Sequence, residues 1–221
     1  MADLITVDGP TESVARLTLD RAEKKNALSI QLRDEMSDAL DALADDEAVK
    51  VVVVTGAGDV FSAGFDLREF EQPERADELW KSSDRWHGTL LRFPLPLVAA
   101  VNGPALAGGF DLAVMCDLRI AADTARFAHP EITFGDVVFG PLHDLVGGAV
   151  ARELCFTGRV VEAREAKELG LVASVVPPAG LEAEVARYTD HIVRAPRDVL
   201  LRTKAKAIRR AAVVGDATLD L

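Results

Sequence analysis

The chain has 221 residues, which fits one large domain or one domain with a small appendage. Hydrophobic residues make up 49% of it, enough for a full core, and this composition excludes a disordered protein. The 25 Lys and Arg are outnumbered by 36 Asp and Glu, and the formal charge of −11 argues against nucleic acid as the main partner. An anionic small molecule is compatible with this charge, because a few local cations or helix ends can bind a phosphate.

Hydrophobic periodicity predicts an α/β body followed by a helical C-terminal part. Predicted strands cover residues 4–7, 13–19, 49–55, 97–101, 118–122, 126–128 and 171–176. Predicted helices cover residues 29–44, 76–92, 108–115, 142–156, 162–169, 181–193 and 199–212, with Ser29 as the first N-cap. The turn between the first two strands is predicted at Asp8-Gly9-Pro10. Residues 1–176 are expected to form the core and residues 177–221 a helical C-terminal segment, divided near Pro177-Pro178.

The sequence shows neither a secretion signal nor a membrane span. Its first residues, Met1 to Leu4, lack a basic region followed by an apolar one. The most apolar stretch, residues 95–115, is interrupted by prolines and polar residues. Cys116 and Cys155 lie far apart in apolar surroundings, so we expect buried free thiols. These features predict a cytoplasmic protein.

The segment from Asn102 to Asp111 joins a predicted buried strand to a predicted helix. Its small residues let a ligand approach the backbone closely, because no side chain stands in the way. The start of the helix adds free N–H groups and the positive end of the helix dipole. The segment therefore indicates either a site that holds negative charge or a tight turn that needs glycine for backbone reasons alone.

Other patterns fall short of a functional motif. Gly56-Ala57-Gly58 follows a strand, but Phe61 stands where a dinucleotide-binding fingerprint has its third glycine. Ser62 misses the nucleophile-elbow pattern because Val60 occupies the first glycine position. A capping or solvated serine is favoured over a nucleophile paired with a histidine. The histidines show no ligand spacing with a third partner, so no metal site is predicted.

Two carboxylates are stronger candidates. Glu131 follows a short strand in a loop between Phe127 and Phe134, and Asp111 lies just inside the helix that starts at Gly108. An acid with apolar neighbours can have its pKa raised by desolvation and by a second carboxylate nearby. Either residue alone could be a helix-terminus charge or a surface group. Together with the glycine-rich turns they indicate a catalytic acid pair.

A series of short motifs in a fixed order then becomes informative. The motifs are Lys25-Asn26-Ala27-Leu28-Ser29, residues 51–56, residues 61–67, residues 96–103, Gly108-Gly109, Cys116-Asp117, Phe127, Pro130-Glu131, residues 154–158 and residues 166–172. In this order they resemble the crotonase superfamily, also called the enoyl-CoA hydratase/isomerase superfamily. The resemblance covers residues 4–176 and continues more loosely to Ala212.

This resemblance implies a spiral of strand–strand–helix repeats with a helical C-terminal part, assembled as homotrimers or hexamers. It also implies an enzyme that binds acyl-CoA and stabilises a thioester enolate with two backbone N–H groups, here those of Phe65 and Gly108. Asp111 and Glu131 match the acids that flank a water in hydratases. Coenzyme A is expected as part of the substrate, with no other cofactor and no metal.

The resemblance further implies where the CoA portion lies. Expected contacts are Lys24, Lys25, Ala27, Ala63, Phe65, Asp66, Leu67, Arg68 and Gly108. Backbone groups serve the adenine and basic side chains serve the phosphates in such sites, so the net charge of −11 is no obstacle.

The sequence departs from the family pattern in four places. Ala107 stands at the first position of a glycine triplet, and Asp111 stands where hydratases usually have Glu and some isomerases have Asp. Residues 135–144 lack a glycine-rich run and are fewer than in the family, although Asp136 could stand in for the third acid of dienoyl-CoA isomerases. The chain ends at Leu221, so the helical C-terminal part is expected to be shorter than in relatives.

The leading hypothesis is hydration of a 2-enoyl-CoA to a 3-hydroxyacyl-CoA, or the reverse. Double-bond isomerisation by the same two carboxylates is the alternative, with hydrolase or lyase variants behind it. A hypothesis of another class is a non-catalytic CoA-binding relative, which the altered segment 135–144 and the shorter C-terminal part would favour.

Overall fold

Strands and helices alternate along the chain largely as the hydrophobic pattern predicts. The structure, a computed structural model, describes residues 3–211, Thr218 and Leu221. The strands are β1 (Ile5–Thr11), β2 (Val14–Leu19), β3 (Val51–Gly56), β4 (Leu97–Val101), β5 (Ala105–Leu106), β6 (Leu118–Ala122), β7 (Arg126–Ala128), β8 (Val161–Glu162) and β9 (Ser174–Val176). The helices are α1 (Ile30–Asp45), α2 (Leu67–Phe70), α3 (Ala76–Arg92), α4 (Gly108–Met115), α5 (Gly140–Val146), α6 (Gly148–Thr157), α7 (Ala163–Glu168), α8 (Leu181–Val193) and α9 (Arg197–Ala211).

A six-stranded sheet with the order β1-β2-β3-β4-β6-β9 forms the centre of the molecule. Only the β1–β2 pair is antiparallel, and the remaining pairs are parallel. Every residue of β3 and β4 is buried, because both faces of the sheet are covered. This double burial explains the continuous apolar runs of these strands, which are typical of parallel sheets.

The two faces of the sheet pack against different helices. One face of β3 presents Val52 and Val54 to the main core, which also contains residues of α1, α3 and α4. The opposite face presents Val51 and Val53 to Leu181 and Val185 of α8. The C-terminal segment thus shares a core with the strands, and the expected division near residue 176 stays a prediction.

A second, three-stranded sheet has the order β5-β7-β8. Its parallel pair aligns Ala105 with Phe127 and Leu106 with Ala128. This pairing places the start of α4 beside the residues that follow β7. Because β4 and β6 each lead through a short strand of this second sheet toward a helical segment, the chain repeats a strand–strand–helix unit, as predicted.

The turn predicted at Asp8-Gly9-Pro10 is wrong. β1 continues through these residues to Thr11, and the turn lies at Glu12 and Ser13. The pairing register with β2 shifts between Asp8 and Thr11, so the strand contains a bulge. Gly9, at a φ of +91°, adopts a conformation that L side chains disfavour, and pairing with β2 overrides the local turn signal.

Two other predicted elements differ from the structure. The single helix predicted over residues 142–156 is divided into α5 and α6 at Gly147, whose φ of +77° ends a right-handed helix. The strand predicted over residues 171–176 is limited to β9. Leu171 and Val172 are buried, but their N–H groups donate to the Ala166 carbonyl at the end of α7.

Several local predictions are confirmed. Ser29 caps α1 and accepts a hydrogen bond from the Leu32 N–H. Cys116 and Cys155 are buried free thiols. Among the described residues, no helix is both long and apolar enough to cross a bilayer.

Candidate active site

The loop after β3 and the start of α4 approach each other so closely that only glycine fits between them. A Cβ on Gly64 would lie 2.7 Å from the Ala107 Cβ and 3.1 Å from the Gly108 nitrogen. A Cβ on Gly108 would lie 2.7 Å from Cδ1 of the Phe65 ring. The structure therefore brings together Phe65 and Gly108, the residues whose backbone N–H groups the family resemblance implies as a pair.

These two N–H groups are available to a ligand. Gly108 is the first residue of α4, where the N–H has no acceptor within the helix. Within the described part of the chain, neither the Phe65 nor the Gly108 N–H donates to a protein acceptor. Paired donors at the positive end of a helix can stabilise an oxygen that gains negative charge.

Ser62 and Asn26 hold the loop after β3 in place. The Ser62 hydroxyl donates to the Asn26 carbonyl at 2.9 Å and accepts from the Gly64 N–H at 3.2 Å. The buried Asn26 amide donates to the carbonyls of Ala57 and Val60. Because its hydroxyl already has two partners, Ser62 is a structural residue, in agreement with the capping interpretation.

Arg33, which the sequence interpretation missed, lies beneath the Phe65 ring. Its guanidinium carbon is 4.4 Å from the ring centroid, and its side chain is fully buried. It donates to the carbonyls of Leu28 and Leu79, which belong to segments before α1 and within α3. Burial lowers its pKa to about 10, so the group remains cationic at neutral pH and fixes Phe65 by a cation–π contact.

Asp111 and Glu131 come together around His129. The His129 Nδ1 is 2.9 Å from Glu131 Oε1 and 3.7 Å from Asp111 Oδ1. Asp111 lies in the first turn of α4, whereas Glu131 lies in the 3₁₀ helix Pro130–Thr133 that follows β7. The β5–β7 pairing brings these two segments side by side. The predicted acid pair is thus a spatial cluster.

Burial dominates the electrostatics of this cluster. It raises the pKa of Asp111 to about 7, with the His129 charge opposing and the Glu131 charge reinforcing the shift. Burial disfavours the charged form of His129, but hydrogen bonding to Glu131 and the nearby Asp111 charge raise its pKa overall. Asp111 Oδ1 and Glu131 Oε2 are buried without a hydrogen-bond partner in the described structure. Such oxygens are suited to a substrate or a water.

The donor atoms of Asp111, His129 and Glu131 lie within 4.8 Å of one another, a spacing that could also admit a cation. The sequence shows no ligand spacing for these residues and so did not predict the cluster. The β5–β7 pairing, and not a local motif, brings them together. His129 is hydrogen-bonded to Glu131, as is typical of side chains that take part in acid–base chemistry. We therefore interpret the cluster as an acid–base group.

The segments predicted to bind CoA lie next to each other. The Ala63 N–H donates to the Lys25 carbonyl at 3.0 Å, and Arg21 pairs with Asp66 at 2.9 Å. These contacts place the loop before α1 beside the start of α2. The predicted contacts gathered there are Lys24, Lys25, Ala27, Ala63, Asp66, Leu67 and Arg68.

The similarity of the chain to known proteins agrees with this geometry. The sequence model of the family described as enoyl-CoA hydratase/isomerase matches residues 9–218. The chain belongs to this family. A Thermus thermophilus protein, provisionally named an enoyl-CoA hydratase, is 40% identical over 206 residues, which are 85% of this chain and 80% of that protein.

Two further proteins support the assignment of the chain to this family. The crotonyl-CoA hydratase of Syntrophomonas wolfei is 36% identical over 203 residues, covering 89% of this chain and 78% of that protein. The crystal structure of an enoyl-CoA hydratase/isomerase from Xanthobacter autotrophicus has a TM-score of 0.86 at 37% identity and covers 95% of this chain and 80% of its own. The predicted family and the crotonase-type fold are therefore confirmed.

An aromatic row, formed by Phe65, Phe70 and Trp80, extends from the N–H pair of this family member to the surface. The ring centroids of Phe65 and Phe70 are 6.3 Å apart, as are those of Phe70 and Trp80. Phe70 and Trp80 are partly exposed. The sequence interpretation missed this row, because its members are separated by polar residues and only the packing of α2 against α3 aligns them.

The segment after Glu131 contacts the last residue of the chain. Asp136, which could stand in for a third acid, is exposed. The N–H groups of Phe139 and Gly140 donate to the Leu221 carbonyl at 3.0 and 2.7 Å. Thr218 bonds to Asp84 of α3. The C-terminal end thus connects α3 with the segment that follows the acids.

Ala107 stores backbone strain beside the Gly108 N–H. Its φ of +50° and ψ of −130° are tolerated by glycine but cost an L residue about 1–3 kcal/mol. Glycine loses more chain entropy on folding, about 0.5–1 kcal/mol. We expect Ala107→Gly to raise the free energy of unfolding by about 1 kcal/mol in urea denaturation. Ala113→Gly, inside the same helix, should lower it, and equal losses in both variants would contradict the strain.

The raised pKa of Asp111 predicts a pH-dependent cost to stability. Because the folded pKa of about 7 exceeds the reference value of 3.8, wild-type stability should fall as the pH rises between these values. Asp111→Asn removes the titration, so its stability relative to wild type should increase from pH 5 to pH 8. Urea denaturation at both pH values measures this difference. Asp136→Asn, at an exposed position, serves as the control for the charge change, and a flat difference for Asp111→Asn would refute the assignment.

Proposed function

We propose that this protein hydrates 2-enoyl-CoA thioesters to 3-hydroxyacyl-CoA and catalyses the reverse elimination. The observation that carries the proposal is the buried acid pair next to the N–H pair. Asp111 lies on the same helix start as Gly108, whose N–H is paired with that of Phe65, and Glu131 lies on the neighbouring segment. The similarity to the crotonyl-CoA hydratase of Syntrophomonas wolfei supports it.

The chemistry requires charge stabilisation at the thioester oxygen. As water bonds to C3, the C2–C3 π electrons move toward the carbonyl and form an enolate. The N–H groups of Phe65 and Gly108 would donate to that oxygen, and one such donor is typically worth about 3–4 kcal/mol of transition-state stabilisation. Donors fixed by the close packing around Gly64 need no reorganisation during the reaction.

Proton transfer completes the addition. One carboxylate of the pair takes a proton from the attacking water, and the other acid delivers a proton to C2. The raised pKa of Asp111 lets the pair retain one proton near neutral pH, so an acid and a base coexist. Positioned proton transfer of this kind is worth about 10²–10⁴ in rate.

The surroundings fit the two ends of an acyl-CoA. The aromatic row offers an apolar path for the acyl chain, and Lys24, Lys25 and Arg68 are exposed beside the loop that carries Phe65. Ammonium and guanidinium groups attract phosphates, although such exposed contacts are screened by salt.

We expect Glu131→Gln to lower kcat for crotonyl-CoA hydration by at least about 100-fold, because the amide can neither take nor release the proton. The loss of enoyl-thioester absorbance, with product identification, measures the reaction. The matched control is Glu168→Gln, an exposed glutamate on α7, which should keep wild-type activity.

The same assay separates the alternatives. A shift in double-bond position without water uptake would select an isomerase, which Asp at position 111 also permits. If wild type and Glu131→Gln were equally inactive across acyl chain lengths while CoA still bound, the non-catalytic alternative would replace the hydratase.

The CoA contacts can be tested separately. We expect Lys24→Glu to raise KM for an enoyl-CoA several-fold, because it places a carboxylate where a phosphate is expected. KM for the truncated enoyl N-acetylcysteamine thioester, which has no phosphate, should not change. Lys206→Glu, an exposed site on α9, serves as the control. Equal effects on both substrates would contradict a phosphate contact at Lys24.

The assembly and location are also proposals. We propose a cytoplasmic location and a homotrimer or hexamer. The oligomer fits the exposed side chains of Phe134, Phe156 and Val160, on segments that meet where Gly158 packs against Ile132. Exposed apolar groups of this kind mark association surfaces. Analytical ultracentrifugation would measure the mass of the assembly.

A further inference from the structure

His129 occupies the space between the two acids and contacts both of them. Its Nδ1 is 2.9 Å from Glu131 Oε1, a hydrogen-bond distance, and 3.7 Å from Asp111 Oδ1. The ring is buried, and its Nε2 has no partner within the described structure. This geometry uses one oxygen of Glu131 and leaves the other, Oε2, unpaired.

We propose that His129 is a positioning residue whose Nδ1–H holds Glu131 Oε1, so that Glu131 Oε2 and Asp111 Oδ1 are the oxygens presented to substrate and water. This inference rests on the proposed function, since it specifies how that site orients its acid pair. It also distinguishes the two carboxylates, because Glu131 accepts a charge-assisted hydrogen bond from His129 and Asp111 does not.

The ring of His129 is itself fixed. It stacks on Phe110 at a centroid distance of 4.6 Å and an interplanar angle of 30°. The backbone is held as well, because the His129 carbonyl accepts the Ile132 N–H at 3.3 Å. A Cβ on Gly158 would lie 2.7 Å from that carbonyl, so α6 ends directly against this residue. A donor whose ring and backbone are both held can set the orientation of its acceptor.

Nδ1 carries the proton whether the ring is neutral or cationic, because its one hydrogen-bond partner, Glu131 Oε1, acts as the acceptor. Asp111 faces it from α4, and Glu131 faces it from the segment that follows. Cys155 of α6 interacts electrostatically with both acids, and burial raises the pKa of its thiol to about 11, so it contributes no charge near neutral pH. The hydrogen bond to Glu131 therefore does not require a charged ring.

The test uses a pair of nearly isosteric variants. His129→Asn keeps an N–H donor at the δ position, whereas His129→Leu removes it with little change in volume. We expect the Leu variant to lose about 10- to 100-fold in kcat for the enoyl-CoA that wild type hydrates, as for a hydrogen bond to a charged group. KM should stay within threefold. The Asn variant should recover to within fivefold of wild type, and the pH profile of kcat should shift in the Leu variant alone.

The outcomes are distinguishable. A wild-type protein that neither hydrates nor isomerises any enoyl-CoA would overturn the proposed function. An active wild type with Leu and Asn variants equal in kcat and pH profile would overturn the role of His129.

A second measurement is independent of activity and of the folding of the Leu variant. In the ¹⁵N-histidine NMR spectrum of the wild-type protein, Nδ1 of His129 should remain protonated from pH 5 to pH 9. In Glu131→Gln, the His129 pKa should fall. A neutral ring protonated on Nε2 in wild type would refute the proposed hydrogen bond.

Discussion

The close contact between the loop after β3 and the start of α4 is the constraint on which the site depends. A Cβ on Gly64 would approach Ala107 to 2.7 Å, and a Cβ on Gly109 would lie 2.3 Å from the Ser62 carbonyl. No larger side chain fits without separating the two segments. This contact sets the distance between the Phe65 and Gly108 N–H groups, and it also fixes the helix that carries Asp111.

Around this contact, polar groups are buried where function needs them. Arg33 is fully buried beneath Phe65 and has carbonyl and hydroxyl partners that compensate for its desolvation. Asp111 and Glu131, in contrast, each keep a buried oxygen without a partner. An unsatisfied buried oxygen costs stability, and it persists because the surrounding core holds it. Strain at Ala107 adds to this cost at the same helix start.

The two sheets have separate roles in building the site. The large sheet supplies most of the core, with β3 and β4 buried on both faces. The small sheet is short, and its pairing of Leu106 with Ala128 aligns the start of α4 with His129. Without this short pairing, the acids would belong to segments that are separate in space.

The sequence by itself determined the strands and helices whose patterns are local and strong. α3 and α8 begin and end where periodicity predicts, and Ser29 caps α1 as expected. The ordered motifs identified the family and the candidate residues Phe65 and Gly108 for the N–H pair. Local signals failed where pairing or backbone conformation overrides them, as in the bulge at Gly9.

Only the tertiary structure decided the arrangement of His129 between Asp111 and Glu131, and of Arg33 beneath Phe65. Sequence separation does not reveal such contacts, because strand pairing and helix packing create them. The raised pKa of Asp111 has the same origin, since burial is a property of the folded chain. The sequence therefore determines the residue types of the site, while their charge, orientation and mutual distances arise from the packing around them.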